Sequence, residues 1–198
     1  MKNICVLLFE DFETLDAFGP VEIFGHAEDL YAIRFYSLNG DKIGNKHGVS
    51  IFTNKPDTIE GNPDIFLIPG GPGTRKEVNN KQLIEEIKRI STLSRYVLTV
   101  CTGSALLAKT GLLDGKKATS NKRAFDWVIT NGKNVFWDRK ARWTVDDKYY
   151  TSSGISAGMD MTLGFLSDHH GIEFAAGIAK RIEYHWIENE DDDSFTAE

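Results

Sequence analysis

Cys101 directly follows the apolar run Tyr96–Val100 and directly precedes the segment TGSALLAKTG. A strand that turns abruptly into a helix at a cysteine is a nucleophile-elbow arrangement, in which the turn pushes one side chain out of the backbone into the space above the sheet. The start of the following helix offers free N–H groups and the positive end of its dipole, and both favour thiolate over thiol. Cys5 is different: it lies between Ile4 and Val6 in the middle of an apolar run, with no turn or charged neighbour, and reads as core. Two cysteines on what read as separate central strands do not indicate a disulfide framework.

A cysteine nucleophile needs donors for the negative charge its attack creates and a group that handles the proton. The PGG turn at 69–71 ends a neighbouring strand, where glycine permits close backbone approach, so the N–H groups of Gly71 and Thr102 are candidate anion donors. Two carboxylates fall near enough in sequence to meet the sulfur, Glu13 and Asp16, and spacing does not choose between them. The pair His169–His170 sits at a helix end with no third ligand spaced for zinc, so no metal site is expected. His26, His47 and His185 are isolated, and the four tryptophans read as core or dimer surface.

The elements around these residues alternate. Residues 3–9 are a continuous apolar run of the kind buried on both sheet faces, and 12–27 follow with helical spacing, Pro20 either kinking that helix or opening its regular part. A second strand spans 31–38, a small hairpin at a sheet edge 44–54, and a third buried strand 64–71. An amphipathic helix covers 81–93, a strand 96–100, and a helix 102–111 with Gly111 as its cap. Then come a helix over 123–132, strand-like segments at 134–138 and 142–153, and helices at 156–168 and 172–187. Strand and helix in alternation predict an α/β fold with a mostly parallel sheet covered on both faces. Ligand sites in such folds lie beyond the carboxyl ends of the strands, which singles out the loop after Phe9, the PGG turn, Cys101 and the SSGIS turn at 152–156.

The 198 residues, 41% of them hydrophobic, are enough for one large core. The formal charge of −6 is local: Glu188, Glu190, Asp191, Asp192, Asp193 and Glu198 carry six negative charges, leaving 23 acidic against 23 basic groups elsewhere. A neutral body gives no electrostatic case for nucleic acid or an anionic membrane. The opening residues are too short for a membrane helix and lack a cleavage pattern, so a cytoplasmic location is expected. One domain is expected over 1–188, and residues 189–198 read as a solvated, disordered acidic tail.

With these residues in hand the chain resembles the DJ-1/PfpI superfamily, through VLLFEDFETLDAFGPVEIF, DIFLIPGGPGTR, VCTGSALLAKTGLLDGKKAT and YYTSSGISAGMDMTLGFL. The LDAFGP segment, Cys followed by Thr, and GISAGMD look most like the isonitrile hydratase branch and the ligand domains of AraC-type regulators. The resemblance implies a flavodoxin-like three-layer sandwich and a cofactor-independent enzyme acting on a small molecule. It implies Cys101 as nucleophile, Asp16 rather than Glu13 as its paired carboxylate, and Thr102 as a required neighbour. Gly70, Gly71 and Ile155 would form the substrate- or anion-binding surface, and the protein would be a homodimer. Hydration of an organic isonitrile to an N-substituted formamide is the expected reaction. A small-molecule sensing domain and a redox-responsive stress protein are the alternatives. One departure stands out: relatives of this branch often carry His-Trp after the nucleophile helix, where this chain has Asn121 and Lys122.

Overall fold

The structure, a computed structural model, describes residues 1–27, 29–191 and 193–196. In chain order the elements are β1 (Lys2–Leu7), α1 (Thr14–Gly25), β2 (Tyr31–Tyr36), β3 (Asp41–Gly44), β4 (Ser50–Thr53), β5 (Ile65–Ile68), α2 (Thr74–Glu77), α3 (Lys81–Leu93), β6 (Tyr96–Val100) and α4 (Gly103–Lys109). They continue with β7 (Lys117–Ala118), α5 (Phe125–Ile129), β8 (Phe136–Trp137), β9 (Trp143–Asp146), β10 (Tyr149–Ser152), α6 (Ala157–His170) and α7 (Ile172–Arg181).

The main sheet has the order β2-β1-β5-β6-β10-β9, parallel throughout except for the antiparallel edge pair β9–β10. Its central strands are apolar along their length: Ile4–Leu7, Ile65–Ile68 and Val97–Val100 are all buried. Strands covered on both faces show no alternation, and that is the pattern the sequence carries. Helices α1, α6 and α7 pack together on one side, and α2, α3, α4 and α5 on the other, so the expected three-layer α/β sandwich is what forms. Helix α3 illustrates the local logic. Leu83, Ile84, Ile87 and Ile90 make one buried stripe, and the Asn80 side chain caps the helix by accepting the Leu83 N–H at 3.3 Å.

Four details differ from the sequence reading. Pro20 lies inside a continuous helix that already begins at Thr14. The hairpin starts earlier than expected, at Asp41, and β3–β4 form a two-stranded sheet of their own, joined to the main one by a bridge between Tyr36 and Asn54. The segment 142–153 is two strands around a turn at Asp147, whose φ is +58°.

The last helix stops at Arg181 rather than 187 because the chain turns to serve a buried carboxylate. Tyr184 Oη donates to Asp160 Oδ1 at 3.1 Å, the Ile187 amide to the same oxygen at 3.0 Å, and Trp186 Nε1 to the Asp160 carbonyl at 3.2 Å. Beyond it the tail expected to be solvated and disordered has exposed residues at 189–191, but its backbone is tied to the body at Glu190 and over 193–196. The Glu190 carbonyl accepts the Arg142 amide at 2.7 Å, and the Asp193 amide donates to the Lys140 carbonyl at 2.9 Å. The Asp193 side chain, 1% exposed, meets Arg142 Nη1 at 3.4 Å. The arginine that draws this segment in is itself buried. Asp192, Ala197 and Glu198 lie outside the described residues. No helix among the described residues is long and apolar enough to cross a membrane.

Candidate active site

Cys101 sits between β6 and α4 with φ +56°, a left-handed conformation that a residue with a side chain adopts only when its surroundings enforce it. Here they do. The Cys101 amide donates to the carbonyls of Ser152 and Ser153 at 3.2 and 3.1 Å, and its carbonyl accepts the hydroxyls of Ser104 at 3.1 Å and Ser120 at 2.8 Å. The strained turn expected from the sequence is therefore present and fully bonded. Cys5, the other free cysteine, is buried in β1, and burial pushes its thiol up to about 11.

The four loops singled out at the strand ends converge on this turn. Asp16, in the first turn of α1 and wholly buried, accepts the Gly70 amide on Oδ2 at 3.0 Å. Its Oδ1 is buried without an aligned partner, and the Cys101 thiol is close enough for the two side chains to hydrogen-bond and to alter each other's proton affinity. Burial, with no cation in contact, raises the Asp16 carboxyl well above its ordinary value, and the Gly70 amide only partly offsets this. Burial also raises Cys101 well above an ordinary thiol. The Asp16 carboxyl adds to the rise, and the amide and hydroxyl of Thr102 pull the other way. Burial thus opposes the thiolate that the helix start favours, and desolvation is the largest contribution for both groups, disfavouring their charged forms.

Glu13 points elsewhere, its Oε1 lying 3.6 Å from His47 Nδ1 in the loop between β3 and β4. Gly71 is also placed differently from the expectation. Its amide donates to Thr102 Oγ1 at 3.0 Å, and the Thr74 hydroxyl lies 3.1 Å from the same oxygen, so the Gly71 N–H is already engaged within the turn. Gly70 matters for lacking a side chain. A Cβ there would fall 2.6 Å from the Thr102 amide nitrogen and 2.9 Å from Asp16 Oδ2, filling the space between nucleophile turn and carboxyl. Gly154 plays the same part on the other side: a Cβ there would lie 3.0 Å from Cys101 Sγ and collide with Asn121 Nδ2.

A cleft of about 680 Å³ opens over this point, with Gly154 and Asn121 at its floor and Leu15, Ile155 and Phe195 among its apolar walls. Cys101, 7% exposed, does not line the cleft itself, but its sulfur lies against Gly154, which does. Ile155, expected at the binding surface, lines this cleft, and so does Asn121, to which the sequence reading gave no role. The Asn121 Oδ1 accepts the Ala124 amide at 2.9 Å, which fixes the side chain with its NH₂ group against Gly154. The cap signal was legible, since Asn before a short helical turn is a common cap. That it would turn a donor toward Gly154 was not. Leu15, Phe195 and Thr196 were likewise missed. His169 and His170 stand at the end of α6 among aromatic rings, His170 Nε2 2.8 Å from Tyr31 Oη.

The DJ-1/PfpI family model covers residues 2–168. The chain is 29% identical to an isonitrile hydratase of Pseudomonas putida over 92% of its own length and 78% of that protein's. It is also 29% identical to the HTH-type transcriptional regulator GbdR of Pseudomonas aeruginosa, over 96% of this chain but only 53% of the regulator, so it spans about half of that protein. A deglycase from Pyrococcus furiosus is 31% identical over 73% of this chain and 83% of that protein. Among solved structures, a ThiJ/PfpI family protein from Pseudomonas syringae superposes with a TM-score of 0.85 at 25% identity, covering 99% of this chain and 78% of that one. The strained cysteine turn, the sheet order and the extent of these matches agree, and the chain belongs to the DJ-1/PfpI family.

Proposed function

We propose that the protein hydrates an organic isonitrile to the N-substituted formamide, with Cys101 as nucleophile and Asp16 as proton carrier. The feature that supports this reading is the buried pair itself: a thiol on a left-handed turn beside a carboxyl whose charged form burial disfavours, next to a largely apolar cleft. An isonitrile carbon accepts a proton and a nucleophile at the same atom, so a neutral acid next to a thiol suits it better than a preformed thiolate does.

Asp16 gives its proton to the terminal carbon as sulfur forms the C–S bond, and the thiol proton passes to Asp16, which is an acid again. The product is a thioimidate, R–N=CH–S–Cys101. Water then adds to the same carbon, one of its protons reaching nitrogen through Asp16. The C–S bond breaks, the remaining hydroxyl proton returns to sulfur, and R–NH–CHO leaves. The amide and hydroxyl of Thr102 lower the proton affinity of the sulfur and stabilise it as attacking and leaving group. The NH₂ of Asn121, fixed by its cap, is placed to donate to the nitrogen or oxygen of the tetrahedral stage. Gly70 leaves room for that stage, and Ile155 contacts the substituent.

The test is direct. Purified protein incubated with alkyl and aryl isonitriles should release the matching formamides, and Cys101→Ser should abolish this. No formamide from any of several isonitriles would overturn the reading. The likeness to GbdR over nearly the whole chain supports a second reading, a domain that binds a small molecule without turnover. Saturable binding with no product, unaffected by Cys101→Ser, would favour it. The homodimer belongs with these proposals, and light scattering of the purified protein reads it.

A further inference from the structure

The segment after α7 ends at the mouth of the cleft, and it is held there firmly. Three attachments fix it. The Glu190 carbonyl accepts the amides of Arg142 and Trp143 at 2.7 and 3.3 Å, at the start of β9. The Asp193 amide bonds the Lys140 carbonyl at 2.9 Å, while its carboxylate is buried against Arg142. Thr196 closes the turn, its amide bonding the Asp193 carbonyl at 2.9 Å and its hydroxyl the Arg139 carbonyl at 3.3 Å. Between them Phe195 has its amide fixed on Asp193 Oδ1 at 3.1 Å, yet its ring is 70% exposed at the cleft mouth.

An aromatic ring left in water on a well-bonded backbone is apolar surface available to a ligand. Across the cleft stand two more half-exposed aliphatic groups, each one residue from a site group: Leu15 beside Asp16, and Ile155 beside Gly154. The charged groups lining the cleft are Lys122, Arg123 and Arg139, with no carboxylate among the described lining residues. A cationic substituent meets repulsion there, and a neutral apolar one meets three walls.

We infer that residues 190–191 and 193–196 form a specificity wall, pinned by the Asp193–Arg142 contact, on which Phe195 receives a bulky, neutral, apolar substituent of the substrate. This rests on the cleft being the entrance to Cys101 and adds the substrate class to the proposed reaction. Phe195 is a binding residue in this account, and Asp193 a positioning residue that acts through it. No proton or bond is assigned to either.

Formamides test the wall without any turnover. The wild-type protein should bind N-benzylformamide at least about tenfold more tightly than N-methylformamide, since a ring buried on two sides is worth that much. Phe195→Ala should cut this preference about fivefold. Asp193→Asn should cut it as well, and should also speed amide hydrogen exchange across residues 193–196, which loss of the ring alone does not do. Phe195 is exposed, so its variant folds whatever Asp193→Asn does. Equal affinities in the wild type, or a preference that Phe195→Ala leaves intact, would overturn the wall. With benzyl isonitrile as substrate, Phe195→Ala should raise KM more than it lowers kcat. Preserved formamide preference with no isonitrile consumed would support the wall and remove the hydratase reading.

Discussion

Asp16 and Asp160 are both wholly buried carboxyl groups, and the protein treats them in opposite ways. Asp160 receives Arg142 Nε and Nη2 on one oxygen at 2.8 and 2.5 Å, and Tyr184 and the Ile187 amide on the other. Burial still raises it, but the amide, the guanidinium and the phenol oppose the rise. Asp16 has one amide, one unaligned oxygen and a buried thiol for a neighbour. A dry carboxyl with a counter-cation and full hydrogen bonding is a structural fixture, whereas one without them is a store of proton affinity. The same chemical group is a girder at the start of α6 and, in the proposed reaction, a reagent at the start of α1.

The sharpest way to break this contrast is to remove the groups in turn. Cys101→Ser should lower formamide production at least about 10³-fold, because hydroxyl in place of thiol forfeits the nucleophile. Arg142→Met leaves Asp160 and Asp193 buried without their cation and should cost about 3–5 kcal/mol in urea unfolding. A loss below about 1 kcal/mol would mean that the cluster holds nothing together.

Asp16→Asn should lower kcat by about 10²-fold or more. It should also change the pH dependence of stability, and the sign is fixed. The Asp16 pKa in the folded state lies above the unfolded value, so the folded protein holds this proton longer. Its contribution is fully present below the ordinary carboxylate value and is lost as pH rises toward the folded pKa. The variant should therefore gain on the wild type in melting temperature with rising pH. For activity, kcat/KM should stay level through the ordinary carboxylate range and decline only on the alkaline side, as Asp16 loses its proton. A limb near the ordinary carboxylate pKa would show that the ionised form does the work. The smallest effect expected is from Tyr184→Phe, about 1 kcal/mol, since the Ile187 amide still serves the same oxygen of Asp160.

The sequence exposed the elbow well, because strand, cysteine and helix are adjacent in the chain and the turn between them has one stereochemical solution. The sheet was equally plain in its uninterrupted apolar runs. Asp16 was not separable from Glu13 by spacing. Family resemblance favoured it, and the structure shows why: Glu13 turns toward His47. What stayed hidden depends on which polar groups become buried. Nothing in the local sequence marks Arg142 as interior, yet that single arginine converts an acidic tail into a fixed wall. The burial that raises the proton affinity of Cys101 was hidden for the same reason. A helix start is visible in sequence, but the desolvation that outweighs it is not.

The backbone ties of Cys101 carry one more consequence. Its amide is held by residues 152 and 153, at the end of β10, and its carbonyl by Ser104 and Ser120. β10 pairs with β6 from the far side of α4, β7, α5, β8 and β9. While the chain is being synthesised, the cysteine therefore leaves the ribosome as an ordinary flexible thiol. It acquires its strained geometry and its dry surroundings only when this distant strand arrives, among the slower kinds of contact to form. Reactivity is in this sense an assembly checkpoint, and an incompletely made or misfolded copy carries a cysteine with none of the site's chemistry.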